Sequence, residues 1–120
     1  MLILFDQGVP KKLRRSLPGH HIATMAERGW EKLVNGELLS TAQHEFEVLL
    51  STDSNIKYQQ RLPDYDIALI VLRAFNTKLE SYLPLVPELE KVLTKIRPGE
   101  VVYLYANQKL ALKDQGKGRK

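Results

Sequence analysis

The chain contains no cysteine. That excludes disulfides, thiolate metal sites and cysteine nucleophiles, and it suits a reducing cytoplasm. No apolar stretch approaches the ~18–20 residues that a membrane-spanning helix needs. No charged segment followed by an apolar core and a small-residue cleavage site opens the chain, so secretion is not expected. Histidine is scarce at three residues. His20 and His21 are adjacent on an expected strand and point to opposite faces, which argues against a joint metal site. Ser16, Ser51 and Ser54 have no evident base partner, which argues against a Ser-His-Asp hydrolase.

A net charge is missing from most of the chain. Residues 1–105 carry 13 Lys/Arg and 13 Asp/Glu, and the net +4 comes from the segment 106–120. With 120 residues, 43% hydrophobic and 27% charged, the composition is that of one ordinary globular domain. The expected organisation is a domain over 1–105 and a flexible basic tail over 106–120. Such a tail suits a polyanion and is also a common solubilising terminus.

Within the domain, Met1-Leu-Ile-Leu-Phe-Asp6 is a short apolar run that stops on a carboxylate. Glu47-Val-Leu-Leu-Ser-Thr-Asp53 repeats the pattern. Continuous apolar runs of this length read as strands buried on both faces of a parallel sheet. In such sheets the chemistry gathers at the carboxyl ends of the strands. Further strands are expected at His20–Met25 (of mixed polarity, hence an edge), at Asp66–Leu72 and at Val101–Tyr105.

Between the strands, helices are expected over Lys11–Leu17, from an Asn35 cap to about Phe46, over about 54–61, and from Pro84 to Ile96. Ala26–Val34 reads as loop. The alternation of strand and helix predicts a doubly wound α/β domain with a parallel sheet. In a 2-1-3-4-5 strand order the switch point falls between strands 1 and 3. Asp6 and Asp53 then project into one crevice, and Glu37 starts the helix after strand 2 at the same edge. Converging carboxylates need a counter-charge. A hard divalent cation, Mg²⁺ or Mn²⁺, fits an oxygen donor set. Taken singly, each acid reads more readily as a turn residue or a helix-cap residue, and it is the pair of strand-terminal aspartates that points to function.

Leu4-Phe5-Asp6-Gln7-Gly8-Val9-Pro10, Asn35-Gly36-Glu37-Leu38-Leu39, and Thr52-Asp53-Ser54-Asn55 with Gln59-Gln60 resemble the motif blocks of short bacterial PIN-like domain proteins. Leu83–Pro87 and Ile96–Val102 are similar as well, so the likeness runs over about residues 1–103. The resemblance implies a three-layer α/β/α fold around a mainly parallel five-stranded sheet. It also implies a metal-dependent endoribonuclease, the toxin of a toxin–antitoxin pair. Asp6, Glu37 and Asp53 match its acidic, metal-holding positions, and Asn35 and Asn55 its polar ones.

Related sequences commonly have Asp-Glu where this chain has Asp6-Gln7. Gln7 can hydrogen-bond around a metal but brings it no charge. The expected cofactor is therefore a weakly held Mg²⁺ or Mn²⁺. The expected partners are RNA, collected by Lys11, Lys12, Arg14 and Arg15, and a small antitoxin protein, with a homodimer as a further arrangement. Two alternatives stand beside this reading. One is a catalytically inactive PIN-like module that binds a protein. The other is a receiver-type signalling domain, disfavoured because Val101–Tyr105 is not followed at once by a lysine.

Overall fold

The computed structural model describes residues 1–53 and 59–107, without the side chains of Asn35, Gln59, Gln60 and Arg61. Five strands form one sheet: β1 Leu2–Phe5, β2 His21–Thr24, β3 Val48–Ser51, β4 Ala68–Arg73 and β5 Val101–Tyr105. Their order is β2-β1-β3-β4-β5, and every neighbouring pair is parallel. β1 and β3 are therefore adjacent, with Phe5 opposite Leu50.

The apolar runs exist because both faces of the sheet are covered. β3 is buried at all four positions and β4 at five of six. Side chains alternate along each strand, so each run feeds two cores. Ile3, Phe5, Leu50, Ile70 and Leu72 pack against Leu13, Leu17, Tyr82, Leu85, Leu89 and Leu93. On the other face Leu4, Leu49, Leu69 and Val71 meet Met25, Leu38, Leu39, Ala42, Phe46 and Leu62. The result is a three-layer α/β/α sandwich. β2, at the edge, is the strand with an exposed and half-buried pattern, as its mixed polarity predicts. No helix among the described residues is long and apolar enough to cross a membrane.

The connections depart from expectation in four places. Lys11–Ser16 is a 3-10 helix rather than an α-helix. It is confined between Pro10 and Pro18, and the residue before a proline is driven away from the α region. Leu17 accordingly sits at φ −127°, ψ 56°. The expected loop at 26–34 begins with a short helix, α1 Met25–Arg28, started by a capping box and stopped by Gly29 at φ 72°. In that box Thr24 Oγ1 accepts the Glu27 N–H at 3.1 Å, and Glu27 Oε1 accepts the Thr24 N–H at 3.0 Å. Reciprocal capping of this kind satisfies two donors that a helix start otherwise leaves unpaired.

α2 spans Asn35–Ala42 with extended Val34 as its N-cap, so Asn35 is already helical and is not the cap. The last region divides into α3 Leu79–Tyr82, a 3-10 turn Leu83–Leu85 and α4 Val86–Leu93. Pro84 and Pro87 fall in the first turns of the segments they open, where no partner for an N–H is lost. Of the helix expected over about 54–61, residues 54–58 lie outside the described residues. The chain re-enters as a 3-10 helix at Gln59–Asp64. The tail beyond Asn107 also lies outside them.

Candidate active site

At the carboxyl ends of β1 and β3 the backbone ladder continues into the first turn, where the Asp6 N–H bonds the Leu50 carbonyl at 2.9 Å. Asp6 is half-buried, and both of its carboxylate oxygens are engaged. Oδ1 accepts the Gln7 N–H at 2.9 Å, and Oδ2 accepts the Ser51 hydroxyl at 2.9 Å. Ser51, fully buried, is the one buried polar residue among those described. Its oxygen in turn accepts the Asp53 N–H at 3.1 Å. One hydroxyl thus ties the Asp6 carboxylate to the backbone that presents Asp53. The carboxylate and that amide are no farther apart than these two bonds laid end to end.

The residue directly after β3 points the other way. Thr52 lies toward the hydroxyl of Tyr82 on α3. A Cβ at Gly8 would lie 2.5 Å from Thr52 Oγ1, so the turn after β1 closes over Thr52 only because residue 8 has no side chain. Tyr82 is 2% exposed. Burial holds its hydroxyl above the ordinary tyrosine range, against the opposing pull of Thr52 and the Arg73 charge.

The expected site residues divide into three groups. Asp6 and Asp53 are joined through Ser51. Glu37 is exposed in the first turn of α2 and stands outside that hydrogen-bonded set. Gln7 is exposed, and its amide donates to the Glu31 carbonyl at 3.2 Å, tying down the loop after α1. The Asn35 side chain and all of Asn55 lie outside the described residues. Among those described, no group of three or more His, Asp or Glu side chains is arranged to hold a metal. The acidic oxygens that remain are hard donors. Each Asp6 oxygen accepts one hydrogen bond and an ionised carboxylate has about four lone-pair sites, while Asp53 is exposed.

Of the four expected RNA-binding cations, two are paired within the chain. Arg14 donates from Nη2 to both oxygens of Glu27 at 2.8 Å, and Lys11 Nζ lies 3.7 Å from the same carboxylate. Arg14 first, then the Thr24 N–H, hold the Glu27 carboxyl below its ordinary pKa. Lys12 and Arg15 are exposed and form no ion pair among the described residues.

A cleft of about 280 Å³ lined by Met1, Leu2, His44, Glu47 and Asp66 opens at the amino ends of the strands. That is the opposite edge from Asp6 and Asp53, and the cleft takes no part in this site. Ser51, Thr52 and Tyr82 are the site residues that sequence reasoning missed. The available signal was two hydroxyl residues directly before a strand-terminal aspartate. Comparison of the chain with protein-family models, with curated proteins and with solved structures gives no match.

Proposed function

We propose that this chain is a Mg²⁺- or Mn²⁺-dependent endoribonuclease, the toxin half of a toxin–antitoxin pair working in the cytoplasm. One observation carries the reading. The hydrogen-bonded Asp6–Ser51–Asp53 set lies at the β1/β3 switch point, where sheets of this order hold ligands. A carboxylate tied through one buried hydroxyl to the backbone of a second acid suits a hard cation, and Glu37 would be the third acid. When bound, the ion would acidify a water and stabilise charge on a phosphodiester.

The protein's own part is positional. Ser51 and the Gln7 backbone N–H orient the Asp6 oxygens before any ligand arrives, so little reorganisation is left for binding. Asn35 and Asn55 would orient ligands or water around the acids. Lys12 and Arg15 are available to phosphate directly, while Lys11 and Arg14 would have to give up Glu27. RNA gathered by these cations would bind with the steep salt dependence of counterion release. A small antitoxin protein and a second copy of the chain complete the proposed partners.

The test is a calorimetric Mn²⁺ titration alongside cleavage of a labelled RNA. Wild type should bind and cut, and Asp6→Asn should do neither. Equal behaviour of the two proteins would end the nuclease reading. A second reading, an inactive PIN-like module that binds a protein partner, is favoured by one contact. The amide of Gln7, where relatives commonly carry an acid, is spent on the Glu31 carbonyl.

A further inference from the structure

We infer that Phe75 is a base-stacking residue, and that the nucleic acid taken at the Asp6–Asp53 edge is single-stranded RNA. Its use as a substrate rests on the nuclease reading, whereas the stacking contact does not. Phe75 is 68% exposed, more than any other large apolar side chain among the described residues. One exposed apolar residue is ordinary on a protein surface. Its surroundings set this one apart.

Phe75 follows β4 at the carboxyl edge of the sheet, and β4 is the direct neighbour of β3. Ser51 lies opposite Val71, so the turn that begins after Arg73 stands beside the segment that carries Asp53. Adjacent strands run ~4.8 Å apart, which puts the two turns side by side. The turn itself is anchored. Asn76 Oδ1 accepts the Lys78 N–H at 2.9 Å and the Ser81 hydroxyl at 2.6 Å, tying it to α3. Ala74 before the ring and Leu79 after it pack on the core, while Phe75 is held out in water.

Charge completes the surface. α3 packs against the 3-10 helix Lys11–Ser16, which brings the exposed Lys12 and Arg15 to the same side of the sheet as the exposed Lys78. None of these three cations forms an ion pair among the described residues, and α3 sets the exposed acid Glu80 against them. An aromatic ring among cations fits a chain of phosphates and bases, because every base has a face that can stack. A duplex keeps those faces in its own stack, so the ring selects unpaired RNA.

The experiment measures binding of the full chain to a labelled RNA, single-stranded or paired with its complement, in EDTA so that no metal-dependent cleavage competes. Phe75→Ala should weaken binding of the single strand about tenfold or more, within the range of one stacked base. Phe75→Trp should retain it, and affinity for the duplex should respond to neither change. Lys78→Ala should lower the slope of log affinity against log salt by about 0.7, a slope that Phe75→Ala leaves alone.

Unchanged single-strand affinity in Phe75→Ala overturns the inference, as does an equal loss for single strand and duplex. A wild type that binds no single strand overturns it too, and leaves the exposed ring to a protein partner. The two readings fail separately. Phe75-dependent binding of RNA by a chain that takes up no Mn²⁺ in calorimetry and cuts nothing upholds the stacking and removes the nuclease. Mn²⁺-dependent cleavage by wild type, with single-strand affinity unmoved in Phe75→Ala, does the reverse.

Discussion

Replacing Ser51 with alanine is the most direct probe of the strand-end linkage. The side chain is fully buried, and alanine fits its space, so no cavity of consequence forms. Two bonds are lost, the one donated to Asp6 Oδ2 and the one accepted from the Asp53 N–H. A hydrogen bond to a charged group contributes about 1.5–3 kcal/mol net and a neutral one about 0.5–1.5 kcal/mol. Asp53 is exposed, so water can take over most of the second bond. The first has no such relief, because Oδ2 faces the buried position that Ser51 vacates. The expected loss is about 2 kcal/mol, a sizeable part of the roughly 5–15 kcal/mol that holds a domain folded. For a chain of this length that corresponds to a fall in Tm of about 6–12 °C. Urea melts should show a lower midpoint with an unchanged slope, since the surface exposed on unfolding is the same. A loss under about 0.5 kcal/mol, with the slope unchanged, would refute the reasoning. It would mean that Asp6 does not depend on the Ser51 hydroxyl.

Other outcomes follow from the same structure. Glu27→Gln keeps a capping partner for Thr24 and removes the charge facing Arg14 and Lys11. Because the Glu27 carboxyl is held below 4.5, its stabilising contribution is full at pH values above its unfolded value and is lost as pH falls through the folded one. The Tm difference between wild type and this variant should therefore be constant near neutrality, shrink in acid and vanish, as a pH series of melts would record. Gly29→Ala should cost about 1–2 kcal/mol from its left-handed backbone alone, since nothing lies within 4 Å of an added Cβ. Gly99→Ala should cost more in the same urea assay. It combines φ +88° with an added Cβ 3.2 Å from the Pro63 Cα, a backbone atom that cannot swing aside. Gln7→Glu should tighten Mn²⁺ binding in calorimetry if a cation occupies the edge. With no cation to offset it, the added charge beside Asp6 should instead lower Tm at neutral pH.

Much of this architecture was legible because burial leaves a plain mark on sequence. Val48–Leu50 and Ala68–Leu72 are apolar at every position because both of their faces are covered, and that pattern placed β3 and β4 without ambiguity. Leu38, Leu39 and Ala42 marked the inner stripe of α2, with Phe46 just past the helix end, and all four are buried. What was not legible depended on single hydrogen bonds or on chain geometry. Thr24-Met-Ala-Glu27 is a capping-box pattern, yet Met25 reads equally well as the end of a strand, so α1 was hidden. Lys11–Ser16 has the composition of a helix, and only the two flanking prolines limit it to 3-10 geometry. At the site, Asp6 and Asp53 stood out because a carboxylate ending an apolar run is conspicuous. Ser51 and Thr52 did not, because a hydroxyl at a strand end is usually solvated. Tyr82 was invisible for another reason: it stands 30 residues from Thr52 and on a different element.

The position of β1 has a consequence for how the molecule is made. Its inner neighbour is β3, and the Leu2 N–H is capped by the Glu47 carboxylate, 45 residues along the chain. At a synthesis rate of about 5–20 residues per second, β1 waits roughly 2–9 s before that partner exists. Its other neighbour, β2, arrives sooner but ends as an edge strand and covers one flank only. During that interval Leu2-Ile-Leu-Phe5 is a short, uncharged, strand-forming segment with no sheet to join. Asp6 directly after it, and then the cations at Lys11, Lys12, Arg14 and Arg15, are the charges nearest to it along the chain. Glu27, made before β3, pairs with two of those cations while the strand still waits for its inner partner.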